Sequence, residues 1–262
     1  MNNDVIEIAF LTAFGKANLA GKNIPFYKNH PGAYNFRNMR FVAKEPSTEQ
    51  LMTKDIIAKD PNIWFKYLNE KNFTKLHLIF NPEVKIKLKP EYKQFFGGMG
   101  SSWYIFAEKN SKFDVWKQKW QAEYGETISY YYLLVEGMEL EKISSLSLET
   151  TIRFMKITLQ ELIDFTSRNK LDNWTNVFQT ALNKFEINNP SDLLSDDYLP
   201  ADCYSLEAKQ ILAACDQAWV FGGMGSWSDV VNVDDYDLFR RLTNNLYDTL
   251  NNSIAAVINS YP

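Results

Sequence analysis

The chain has 262 residues, 45% of them hydrophobic and 15% aromatic, with a formal net charge of −4 and a pI near 5.4. That length and apolar content can bury a substantial core, in one large domain or in two of ordinary size. The mildly acidic balance provides no basic field for a phosphate backbone and so excludes general nucleic-acid binding.

Two cysteines, Cys203 and Cys215, stand twelve apart with no second pair. They offer neither a disulfide framework nor a zinc site, and Cys215 falls in an apolar run that reads as core. The first residues carry acids where a secretory signal carries bases, and no apolar run approaches the roughly 18 residues of a membrane span. These features predict a soluble cytoplasmic protein with no membrane contact.

In chain order, Val5, Ile6, Ile8, Phe10, Leu11 and Phe14 form a buried segment whose period does not separate helix from strand. A turn-rich region with Pro25, Pro31 and Gly32 leads to a strand at 39–43. Pro46-Ser47 reads as a helix start, with helical pattern in two pieces, broken at Asp60-Pro61, to about Asn69. Strands are predicted at 76–80, 84–88, 103–107 and 128–135, with a helix over 112–124 set between the last two. Beyond Gly137 the pattern turns helical, over 148–166 and 174–185, then from an N-cap at Ser205 to 216, and finally over 236–259. The expected fold class is α+β. Residues 1–142 form a mixed unit with a small antiparallel sheet, and residues 143–262 form a mainly helical unit.

One six-residue stretch occurs twice. Phe96-Gly97-Gly98-Met99-Gly100-Ser101 and Phe221-Gly222-Gly223-Met224-Gly225-Ser226 are identical, and together they use six of the eleven glycines. Such concentration implies shaped turns that need positive φ or close backbone approach, anchored by the flanking Phe and Trp residues. The echo continues loosely: Phe113-Asp114-Val115-Trp116-Lys117 follows the first motif, and Tyr236-Asp237-Leu238-Phe239-Arg240 the second, each opening a predicted helix. A shared loop-plus-helix unit points to an internal duplication or a pseudo-symmetric pair of loops, with two independent glycine turns as the alternative.

No catalytic constellation stands out. Neither motif has the Gly-Lys-Ser/Thr ending or the Gly-x-Gly-x-x-Gly spacing of a phosphate loop. A nucleophilic Ser101 or Ser226 wants a histidine base, and only His30 and His77 exist, in a turn and a strand respectively. The pairs Asp196-Asp197 and Asp234-Asp235 read as a solvated loop and a helix N-terminus, and no residues show metal-ligand spacing. Asp229 reads first as a cap acid bonding its own loop, and otherwise as one member of a hydrolytic carboxylate pair. Trp103, Trp219 and Trp227 read as core anchors, with an interface hot spot as the alternative.

The stretch from Gln217 through Trp219, Phe221, Met224 and Trp227 to Asp229, followed by a long helix with Tyr236, Leu242, Leu246 and Tyr247, resembles immunity proteins encoded beside bacterial polymorphic toxins, including those of contact-dependent inhibition systems. The likeness covers about the last 60 residues, and the first half only through the echoed motif. Where the pattern has Asn before its Asp, this chain has Ser228. The resemblance implies a cytoplasmic, non-enzymatic protein without cofactor or metal that binds and neutralises a cognate toxin domain. Met99, Ser101, Trp103, Met224, Ser226, Trp227 and Asp229 would line the partner surface or the frame beneath it. The alternative is a small hydrolase or ligand-binding protein with a pocket framed by the two loops.

Overall fold

The computed structural model describes residues 1, 3–26, 38–46, 55–82, 86–96, 102–123, 125–140, 143–193, 199–222, 226–230 and 233–261. The chain divides into two compact units. One comprises Val5–Ser144, Asp197–Pro200 and Tyr261–Pro262; the other comprises Met1–Asp4, Ser145–Asp196 and Ala201–Ser260.

The first unit is built on a six-stranded sheet. Its strands are β1 (Asn38–Val42), β2 (Ile56–Ala58), β3 (Lys75–Phe80), β4 (Trp103–Lys109), β5 (Lys112–Glu123) and β6 (Glu126–Glu139), in the order β2-β1-β6-β5-β4-β3. The sheet is larger than the sequence suggested and is mixed: β1 lies parallel to β6, while the other neighbours are antiparallel. Tyr104, Phe106, Phe113 and Met138 join Ile79, Leu88 and Phe96 in a core on one face. Helix α3 (Pro90–Phe96) supplies Phe96, stacked 6.0 Å from Phe106.

Helices α1 (Asn3–Leu19) and α2 (Pro61–Glu70) carry the other core of this unit. The segment whose period left helix or strand open is helical, and it is apolar almost all round because it is buried almost all round. Gly15 allows the closest approach: a Cβ there would stand 2.6 Å from Leu76 Cδ1 and 3.1 Å from Phe65. Two charged side chains go in with α1. Glu7 accepts hydrogen bonds from Gln118 (2.7 Å) and the Tyr131 hydroxyl (3.0 Å), and the Lys16 ammonium donates to the Leu76 carbonyl on edge strand β3 (3.0 Å). From α2, capped by Asp60, Trp64 stacks 4.5 Å from Phe41, which also meets Trp116 and Tyr131.

Three expectations fail here for local reasons. Residues 112–124 do not form a helix: Lys112–Glu123 is strand β5. Val115 joins the Phe106 and Phe113 core on one face of the sheet and the adjacent Trp116 packs on Phe41 and Trp64 on the other, so burial on two covered faces mimics helical spacing, and Asn110 and Ser111, both at positive φ, form a two-residue hairpin turn after β4. The first piece of the helix expected before Asp60 is strand β2 over 56–58, while Ser47 and its neighbours lie outside the described residues. Of the strand expected at 84–88, Val84 lies outside the described residues and 86–88 is not extended into the sheet. There the Ile86 N–H bonds Pro82 and the Leu88 N–H bonds Ile86, so the ladder donors are spent locally.

The second unit packs four helices, α4 (Leu148–Arg168), α5 (Asp172–Asn183), α6 (Leu206–Gln217) and α7 (Tyr236–Ser260). Helix α4 meets α5 and α7, and α6 meets the same two, closing a bundle. Ser147, Ser205 and Asp235 cap α4, α6 and α7 by accepting from Thr150, Ala208 and Leu238 N–H groups. The core is the stripe the spacing predicts: Met155, Leu159 and Leu162 face Phe178, Ile211, Leu246, Leu250 and Ile254, all fully buried. Cys215 is fully buried among them, and burial pushes its thiol well above the usual range, leaving it inert.

Candidate functional site

Of the first glycine motif, Gly97, Met99 and Ser101 lie outside the described residues, and its two shoulders are described. Phe96 is a core residue, packed edge-on against Tyr104 at 5.1 Å. On the other shoulder the Ser102 N–H donates to the Asn81 side chain (2.8 Å) and the Asn81 N–H returns to the Ser102 carbonyl (3.0 Å). Asn81 adopts a positive φ of 48° to do so, which asparagine tolerates better than most residues. Trp103 begins β4 half-buried, its ring 5.0 Å from Phe80. The strand that follows breaks the echo with the second half: Phe113–Lys117 is β5, whereas Tyr236–Arg240 opens α7. The loop-plus-helix duplication therefore does not extend past the glycines.

The second motif is described on both sides of residues 223–225, which include Met224 and lie outside the described residues. Its ends are tied together by the Trp227 N–H donating to the Val220 carbonyl (3.2 Å). Gly222 takes a φ of +103°, open to glycine and strained for any other residue. Trp227 is fully buried. Its indole meets Phe239 at 4.9 Å, Phe178 at 5.3 Å and Trp174 at 5.5 Å, and its N–H donates to the Thr243 hydroxyl at 2.8 Å. Ser226 is buried too, and its N–H donates to the Asp229 carboxylate (3.1 Å) across a single 3₁₀ turn, Trp227–Asp229. Ser226, Trp227 and Asp229 are thus brought together as one turn that pins the loop onto α5 and α7. Trp219, Phe221 and Tyr247 add a second aromatic clamp, with Phe221 5.2 Å from Tyr247.

Reactive groups gather elsewhere. His77 bonds Glu108 at 2.9 Å; burial lowers its pKa, against the pull of that carboxylate. His30 lies outside the described residues. In the sheet unit a cleft of about 330 Å³ is lined by Tyr67, Lys71, Lys109, Lys112, Asp114 and Glu136, among others. Burial, with Glu136 nearby, raises the Asp114 pKa, although the Gly137 N–H donates to it at 2.8 Å. That acid pairs across from Ala107, four residues along β4 from Trp103, or about 13 Å from that shoulder of the first motif. Among the described residues no three His, Cys, Asp or Glu side chains form a metal site, and no helix is long and apolar enough to cross a membrane.

The sequence reading missed a groove in the helical unit. It has a volume of about 310 Å³ and runs between α4 and α7. Thr158 and Thr249 share a hydrogen bond of 3.2 Å at its floor, with Asn245 at 3.5 Å from Thr158. Leu146 (42% exposed), Phe154 (43%) and Ile157 (51%) stand along it, and Glu161 and Asp248 are the charged residues of its lining. Single exposed apolar residues need no explanation, but three on one groove do. The signal was present: Phe154 and Ile157 lie three apart on α4, off the Met155–Leu159–Leu162 core stripe.

Compared with known proteins, the chain significantly matches no family model, no curated protein and no solved structure.

Proposed function

We propose that this chain is an immunity protein, one that binds a cognate bacterial toxin domain and neutralises it by protein–protein interaction in the cytoplasm. The observation that carries the reading is the second motif, whose resemblance to such proteins is joined to a physical role. Trp227 is buried and Asp229 is spent on capping its own turn, so the motif acts as a frame that holds α5 and α7 in register. A frame of this kind suits a scaffold presenting a surface. The reading is supported also by the exposed apolar groove on the helical unit, and by an acidic balance suited to a basic partner.

The test is co-expression with the toxin-like domain encoded immediately upstream, scoring survival and co-purification. Survival with a stoichiometric complex is expected. Killing undiminished by the chain, with no complex, would reject the proposal. Survival without a complex would instead favour the hydrolase or ligand-binding alternative, for which the Asp114 cleft is then the place to look.

A further inference from the structure

The floor of the groove joins α4 to α7 through Thr158 and Thr249, but its apolar rim adds nothing to the bundle core. The core face of α4 is complete without Phe154 and Ile157, and these two side chains, with Leu146, are left in water at the edge of a concave strip. Hydrophobic exposure of this kind is unfavourable unless something covers it part of the time. From Thr151 to Glu161 the strip runs about 15 Å along α4, three helical turns, a length that a docked helix or extended segment can follow.

Its chemistry is one-sided. Leu146, Phe154 and Ile157 provide apolar contact, the Thr158–Thr249 pair and Asn252 a polar floor, and Glu161 and Asp248 two carboxylates with no lysine or arginine among the lining residues. Arg153 is not a lining residue; its guanidinium lies 5.3 Å over the Phe154 ring and covers one face of it. A partner that fits must bury apolar side chains against α4 and bring positive charge to Glu161 and Asp248.

We infer that this groove is the docking surface for a protein segment of the toxin domain that presents apolar side chains flanked by lysine or arginine. The inference rests on the immunity reading and adds where the partner binds and what chemistry it carries. The motif-bearing turn at Trp227 sets α7 from behind and does not touch the partner.

The test uses the full chain titrated calorimetrically with the purified upstream toxin-like domain. Ile157→Asp should weaken Kd by about 30-fold or more, as for a buried apolar anchor, and Asp248→Lys by about tenfold. Binding by the unaltered chain should weaken as salt rises, and Ile63→Asp, an exposed site on α2 of the sheet unit, should leave Kd unchanged. All these positions are exposed or charged at the surface, so unchanged circular dichroism and thermal unfolding of each variant will confirm that folding is intact. Wild-type binding that survives both Ile157→Asp and Asp248→Lys would overturn the docking surface and leave the immunity reading standing. No wild-type binding and no rescue would overturn both. Light scattering that shows a dimer of the chain, dissociated by Ile157→Asp, would assign the groove to a second copy and equally overturn the inference.

Discussion

Replacing Trp227 by alanine is the sharpest perturbation of the frame described here. The side chain is fully buried, meets three aromatic rings between 4.9 and 5.5 Å, and donates one hydrogen bond to Thr243. Truncating a buried Trp costs about 3–5 kcal/mol through lost transfer energy and the cavity left behind, and the lost indole bond adds about 1 kcal/mol. Against a typical stability of about 5–15 kcal/mol, that removes about a quarter or more of what holds the helical unit. Trp227→Phe should be milder, about 1–2 kcal/mol, because a ring remains and Thr243 still donates to the Phe239 carbonyl. Thr243→Val alone and combined with Trp227→Phe completes a double-mutant cycle, with an expected coupling of about 0.5–1.5 kcal/mol. Urea unfolding gives the totals, and hydrogen exchange at α6 and α7 amides reports the helical unit by itself. A loss below about 1 kcal/mol for Trp227→Ala, with exchange in α7 unchanged, would refute the frame.

Further outcomes follow from the sheet unit. Gly15→Ala gains about 1 kcal/mol of helix propensity but drives a methyl into Leu76 and Phe65, so a net loss of about 1 kcal/mol is expected in urea unfolding. Burial first, and Lys75 second, lower the Lys16 pKa from 10.5 to about 8. Between these values the unfolded chain binds more protons than the folded one, so the Lys16 contribution to stability is flat below pH 8 and rises toward pH 10.5 by up to about 3 kcal/mol. Lys16→Met should remove that rise, which unfolding curves across this pH window will show. Asp114 has its pKa raised by burial, so stability falls as pH climbs through the acid range where the unfolded carboxyl ionises first. Asp114→Asn, which keeps an acceptor for the Gly137 N–H, should flatten that fall and leave the protein at least as stable at neutral pH.

The helical unit was legible because its signals are local. Four-residue spacing on 236–259, Ser205 as a cap and the 148–166 stripe each depend on neighbours within two turns. The sheet was less so. Strand β5 buries Val115 on one face and Trp116 on the other because both faces of the sheet are covered, and that covering is a long-range fact. Likewise, no local pattern marks β1 as the parallel neighbour of β6. The glycine motifs showed where the chain turns, but not that Trp227 points into the core and Asp229 back to Ser226, which takes the packing of α5 and α7. The groove could have been suspected from Phe154 and Ile157, apolar residues off the core stripe; its acids, Glu161 and Asp248, come together only when α4 and α7 pair.

Hydrogen exchange of the chain with and without the upstream toxin-like domain tests the division between frame and surface most directly. The account predicts new protection at 146–161 and 245–253, with amides around Trp227 as slow without the partner as with it. Protection centred on residues 219–229, with the α4–α7 groove unchanged, would contradict it and place recognition on the motif itself.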